Sequence, residues 1–138
     1  MDAKQRTLIK RSFATVVPVA AKFGSAFYVR LFQLDPELRP LFRTNMTEQA
    51  QKLVALLGVV VTSIDMLQTL TPAIHKLAHR HTGYGVTPTM YETVGSALLD
   101  TLGAHLSAED RAETLAAWAA LYGEVVHVML EASVAAAV

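Results

Sequence analysis

The stretch Thr71-Pro72-Ala73-Ile74-His75-Lys76-Leu77-Ala78-His79-Arg80-His81-Thr82 decides how this chain is read. Thr followed by Pro marks a helix start, because proline's missing N–H costs nothing in the first turn. At about 100° of helical advance per residue, Ile74, Leu77, Ala78 and His81 fall on one stripe, with His81 near its middle. His75 and His79 turn toward Lys76 and Arg80 on the polar face. The three histidines therefore divide into a solvated pair and one residue on an apolar flank.

Each set has an ordinary reading and a functional one. His75 and His79 stand four apart, a spacing that suits a divalent metal, but no third ligand is visible and a solvated pair is the default. His81 is either a core histidine satisfied by a neighbouring group or a ligand, since neutral imidazole binds metals through one ring nitrogen.

Outward from this helix the punctuation is helical throughout. Leu8, Ile9, Ser12, Phe13, Val16 and Val17 give residues 3–17 an i, i+4, i+8 pattern. Pro18 suits the first turn of a second helix to about Leu34. Asp35-Pro36 starts a short segment that Pro40 disturbs before Leu41-Phe42. Residues 43–47 read as a loop, with Thr47 as N-cap of a long helix to about Met66. Gly83 and Gly85 mark a turn, and Thr87-Pro88 opens a helix to about His105. Ser107-Ala108-Glu109-Asp110 resembles a capping box and opens the last helix, to about Glu131. The Ala-rich residues 132–138 are expected to fray. Val59-Val60-Val61 is the single strand-like run and lies inside a helical pattern. The expected class is all-α, six main helices plus one or two short ones, in a single domain over 1–138.

Composition narrows the chemistry. The 138 residues include 12 Lys+Arg, 12 Asp+Glu, five His and no Cys, with 52% hydrophobic and 17% charged. Without Cys there is no disulfide framework, thiolate metal site or cysteine nucleophile. A formal net charge of zero argues against nucleic acid and against an anionic membrane surface as partner. The charged N-terminus is not a signal peptide, and Leu53–Ile64, the longest uncharged apolar stretch, is shorter than the roughly 20 residues of a span. A soluble cytoplasmic protein is the expectation.

On the long helix, Gln49 lies at the loop end of a stripe formed by Leu53, Leu56, Val60 and Ile64. It either frays into solvent or offers an amide donor to an apolar-walled cavity. Tyr28, on a helix apolar over half its circumference, is expected inside, where its hydroxyl needs a partner. That partner is a backbone carbonyl in the ordinary reading. Phe42, Trp118 and Tyr122 suit a core.

Taken together, these residues resemble a globin. The similarity is to single-domain bacterial haemoglobins and the globin domain of flavohaemoglobins. It is carried by Phe27-Tyr28-Val29-Arg30-Leu31-Phe32, Asp35-Pro36-Glu37-Leu38, Leu41-Phe42, Lys76-Leu77-Ala78-His79-Arg80-His81-Thr82, Tyr91-Glu92-Thr93-Val94-Gly95 and Ala117-Trp118-Ala119-Ala120-Leu121-Tyr122-Gly123. It spans nearly the whole chain.

The resemblance implies a globin fold around haem b (iron protoporphyrin IX). It makes His81 the proximal iron ligand and Phe42 the ring packed flat on the haem. Tyr28 and Gln49 become distal hydrogen-bond donors, and Leu53 the apolar residue over the iron. Val94 and Leu98 become pocket lining. His81 would donate from its other ring nitrogen to a carbonyl one turn back, on Leu77. Tyr91 resembles a proximal tyrosine that works with a glutamate in flavohaemoglobins. That glutamate's position aligns with Ser133 here, and Glu131 is two residues off.

The implied function is high-affinity, reversible binding of O2 and other diatomic ligands such as NO and CO. One alternative is a nitric oxide dioxygenase, converting NO and O2 to nitrate. That needs an external reductase, because no flavin domain follows Val138 in this sequence. A further alternative is a regulatory module, haemless or haem-based. The expected assembly is a monomer or weak homodimer.

Overall fold

The computed structural model describes residues 1–42, 45–83 and 86–137, with residues 82, 83 and 133–137 described by their backbone alone. Among the described residues there are six α-helices and three short 3-10 segments, and no strand. Helix α1 (Ala3–Val16) starts at a reciprocal cap: Asp2 accepts from the Gln5 N–H at 2.7 Å, and the Gln5 side chain accepts from the Asp2 N–H at 3.0 Å. Pro18 sits in a 3-10 turn, Val17–Val19, so α2 begins two residues later than its proline, as Ala20–Leu34. Asp35 caps the next 3-10 segment, Pro36–Leu41, by accepting from the Glu37 N–H at 3.1 Å.

The cap of α3 (Met46–Thr62) is Asn45, not Thr47. The Asn45 side-chain oxygen accepts from the N–H groups of Thr47 and Glu48, and the Thr47 N–H is thereby one of the donors being capped. The helix also stops short of Met66. A 3-10 segment, Ile64–Leu70, follows, with Met66 at φ −142°, and the chain turns through 107° between Met46–Thr62 and Ile64–His81. Helix α4 (Thr71–Gly83) and helix α5 (Pro88–His105) begin at their Thr-Pro signals. The expected turn at Gly83–Gly85 falls partly outside the described residues. Helix α6 (Arg111–Ala137) begins later than the Ser107 reading placed it, after a turn in which Asp110 takes φ 57°. It runs past Glu131 and through the tail expected to fray.

Packing selects the faces. Gly24 of α2 meets Ala50 of α3 so closely that a Cβ at 24 would lie 2.5 Å from the Ala50 Cβ and 2.8 Å from its backbone. Val60 and Ile64 of the stripe read from the sequence are buried, and Ala50, Val54 and Val61 are buried beside them, whereas Leu56, expected inside, is 40% exposed. Gln49 and Leu53 become half-buried residues at the edge of the contact face. On the other side of the molecule, the Trp118 indole N–H donates to Ser12 Oγ at 2.8 Å, and Ser12 donates to the Ile9 carbonyl at 3.0 Å, tying α6 to α1.

The buried side chains form two clusters. The larger joins α1, α2, α3, α5 and α6 around Ile9, Phe27, Leu31, Leu102 and Trp118. The smaller joins Ile74 and Ala78 of α4 to Tyr91 of α5 and to Met129 and Ala132 of α6. Residues Ala3–Leu34 and Arg111–Ala132 are long and apolar enough, by length and composition, to cross a membrane. In this fold Ile9, Phe13, Phe27 and Leu31 of the first, and Trp118 and Leu121 of the second, are buried against other helices.

Because Gly24 has no room for a side chain, Gly24→Val should destabilise the protein by about 1–3 kcal/mol, the usual cost of overpacking. Urea unfolding followed by circular dichroism would measure it. A midpoint equal to that of the parent protein would mean the α2–α3 contact is looser than described.

Candidate functional site

The seam between the two clusters collects the residues singled out in the sequence. On α4, His81 is half-buried. Its Nδ1 lies 2.8 Å from the Leu77 carbonyl oxygen. A carbonyl oxygen accepts only, so Nδ1 carries the proton. In the neutral ring the lone pair then sits on Nε2, the atom able to bind a metal. The tether expected from the resemblance is present.

Behind His81 stands α5. The Tyr91 ring stacks beside the imidazole, with centroids 6.3 Å apart and planes 23° from parallel. The Tyr91 carbonyl accepts the Tyr122 hydroxyl at 2.6 Å. Tyr122 reaches it because position 95 is glycine: a Cβ there would lie 2.7 Å from the Tyr122 ring. Glu131 takes no part in this group. It is exposed and paired with the His127 Nε2 at 2.9 Å. The alternative position, Ser133, lies beyond the described side chains.

On the opposite cluster, α2 carries an aromatic group. Tyr28 packs edge-on against Phe27 at 4.9 Å and Phe42 at 5.2 Å, with Phe32 at 6.0 Å. The Tyr28 ring is 8% exposed, yet its hydroxyl makes no hydrogen bond among the described residues. No sealed side-chain N or O lacks a partner in them, so this oxygen must open onto space. The backbone carbonyl partner of the ordinary reading is not found among the described residues. Gln49, half-buried, likewise has no hydrogen bond to its side-chain amide among the described residues. Leu53, Phe42 and Val94 are half-buried, and Leu98 is buried in the larger cluster at 3% exposure.

Sequence reasoning missed Arg39. Its Nη1 donates to the Phe42 carbonyl at 3.1 Å, and its guanidinium lies 5.5 Å from the centre of the Phe32 ring. An arginine between a leucine and a proline reads only as a loop cation, so nothing local marks this role. His75 and His79 are both exposed, and no group of three or more metal-ligating side chains occurs among the described residues.

Six helices, a tethered histidine on one side of a seam and an open phenol on the other are joined by a family match: the globin profile covers residues 25–129. The chain belongs to the globin family. Among solved structures, a bacterial globin from Campylobacter jejuni is 25% identical, with TM-score 0.82 and 95% of each chain covered. An engineered carbene transferase made from a candidate nitric oxide dioxygenase of Rhodothermus marinus is 28% identical, with TM-score 0.83, covering 99% of this chain and 97% of that one. The ferric myoglobin of Aplysia limacina, 19% identical at TM-score 0.83 over 96% and 98%, shares the fold.

The cofactor of globins is haem, and the residues present suit one. Phe42, Leu53 and Val94, packed on the larger cluster, and Leu77, packed on the smaller, are half-buried apolar side chains of the kind that suit the faces of a flat apolar ring. The seam has an imidazole of defined tautomer. The Tyr28 oxygen has no protein partner among the described residues and is not sealed, so its proton is available to a bound group.

Burial pushes the Tyr28 phenol up to about 12 from its ordinary 10.0, and burial also raises Tyr91 and Tyr122. Between these values the unfolded chain releases phenolic protons that the folded chain keeps, so stability is full below about pH 10 and falls as pH rises toward 12. Urea midpoints measured from pH 9 to 12 should decline, and Tyr28→Phe should make the decline shallower. An identical slope in the variant would place the Tyr28 hydroxyl in water.

Proposed function

We propose that this globin binds O2 reversibly and with high affinity at a haem held by His81. The observation that carries the reading is the Nδ1 tether to the Leu77 carbonyl, which presents Nε2 as the ligating atom. When bound, haem b would supply an iron able to take up small diatomic gases. The protein contributes the surroundings. Phe42, its carbonyl gripped by Arg39, would pack on the ring face. Leu53 and Val94 would keep water and protons away, with Leu98 behind them. Tyr28 and Gln49 would donate hydrogen bonds to the polarised ligand.

A hydrogen bond to a charged group contributes about 1.5–3 kcal/mol. At about 1.4 kcal/mol per factor of ten, one donor slows ligand loss by roughly ten- to a hundredfold. Two such donors favour scavenging or holding O2 over bulk delivery. The aromatic cage on Tyr28 supports this role, because it holds the phenol in one place without consuming its proton.

A second reading, nitric oxide dioxygenase, is favoured by the likeness to the Rhodothermus marinus protein. Here the same donors would hold O2 while NO arrives, nitrate would leave, and a separate reductase would restore the ferrous state. Sustained rather than single-turnover NO consumption in the presence of such a reductase separates the two.

Two variants test the main reading. His81→Gly should lose the Soret band of the purified protein and regain it when imidazole is added. Tyr28→Phe should raise the O2 dissociation rate at least tenfold in laser-flash or stopped-flow measurements. An unaltered rate removes Tyr28 from the ligand pocket, and a normal Soret band in His81→Gly removes His81 from the iron.

A further inference from the structure

The formal charge is zero, but its distribution is not even. Residues 1–91 hold eleven basic and five acidic side chains, and residues 92–138 hold one and seven, a balance of +6 against −6. Folding brings part of the two halves together: Lys4 pairs with Glu113 at 2.7 Å, Arg30 with Asp100 at 2.9 Å, and the N-terminal amine with Glu124 at 3.5 Å. Asp65 takes both Arg6 and Lys10.

Helix α4 is left out of this pairing. Between Asp65 and Glu92 there is no acidic residue. His75, Lys76, His79 and Arg80 are all exposed, and none makes an ion pair among the described residues. On the neighbouring helix, Glu131 is already bound to His127. These four side chains lie on the flank of α4 opposite Ile74, Ala78 and His81. A helix with its side chains is about 10–12 Å across, so whatever docks on the outer flank lies about one helix width from the His81 imidazole.

From this placement we propose that the outer face of α4 is the docking surface for an acidic electron-carrier protein. The inference rests on the haem reading for the electron's destination. A reduced flavin on the donor loses one electron and ferric iron gains it, with no proton or group transferred. The occupant is a protein with a negatively charged surface around its redox centre, because that surface complements an unneutralised cationic face and is steered to it at low salt. The chain is neutral overall, so without Lys76 and Arg80 the rest of it carries two more acidic than basic side chains and gives such a donor no net attraction.

The test uses the haem-loaded full chain with flavodoxin, an acidic flavin protein, as probe. At about 10 mM ionic strength, where charges act over roughly 30 Å, flavodoxin should shift the amide resonances of residues 73–80, and the shifts should fade near about 500 mM. Stopped-flow reduction of the ferric protein by reduced flavodoxin should slow about tenfold or more over that range. Lys76→Glu with Arg80→Glu should produce a similar loss at low salt. Arg11→Glu with Lys22→Glu, which changes the net charge equally on α1 and α2, should keep most of the rate. Hexaammineruthenium(II), a small dicationic reductant, should react faster with the α4 variant than with the parent, which also reports an intact haem site. Equal slowing by both double variants, or amide shifts centred elsewhere, overturns the proposal. If the chain takes up no haem, the reading of the site falls and the electron-transfer role with it. The amide shifts then still decide whether α4 binds an acidic protein.

Discussion

A hydrogen atom at position 24, where any other residue carries carbon, sets how closely α2 and α3 approach. The contact with Ala50 leaves no space for a side chain. Its consequences reach in both directions along each helix. One turn further along α2 is Tyr28, and the residue preceding Ala50 is Gln49. Two helices brought together at their backbones thus carry the two polar side chains of the candidate site on either side of one crossing. Side chains of ordinary size at the crossing would push these helices apart by ångströms, a distance over which a hydrogen bond is lost.

The second half of the site is built on a different principle. Helix α4 belongs to a small cluster with Tyr91, Met129 and Ala132, and a sharp turn after α3 separates it from that helix. The imidazole of His81 is oriented by its own helix through the Leu77 carbonyl, and a ring from α5 stands beside it. That ring's backbone is in turn held by Tyr122 from α6. The orientation of His81 is therefore local, whereas its location in the molecule is the product of three helices. The absence of Glu131 from this group leaves a backbone carbonyl as the partner of Nδ1, a weaker acceptor than a carboxylate.

The polar groups follow one rule wherever they are sealed. Trp118 finds Ser12, and Ser12 finds a carbonyl. The Tyr28 hydroxyl and the Gln49 amide are not sealed, and neither is bonded to protein among the described residues, which leaves both able to donate to a bound group.

Sequence alone determined the elements and most of the inward-facing set. Thr71-Pro72 and Thr87-Pro88 start helices because proline is harmless in a first turn and disruptive later. The 3.6-residue period put His81 on the apolar flank of its helix and His75 and His79 on the other, and Tyr28 inside. Local pattern was insufficient where two chemically equivalent choices compete. Asn45 and Thr47 can each cap, and only the geometry of the loop decides for Asn45. Tertiary structure alone decided that Ala50 is buried and Leu56 is not, because the apolar stripe of α3 is broader than the face its neighbours cover and the Gly24–Ala50 contact selects part of it. It alone placed Arg39 on Phe32 and Phe42, and left Lys76 and Arg80 without an ion pair among the described residues, since pairing between residues distant in sequence depends on which helix surfaces the packing brings together.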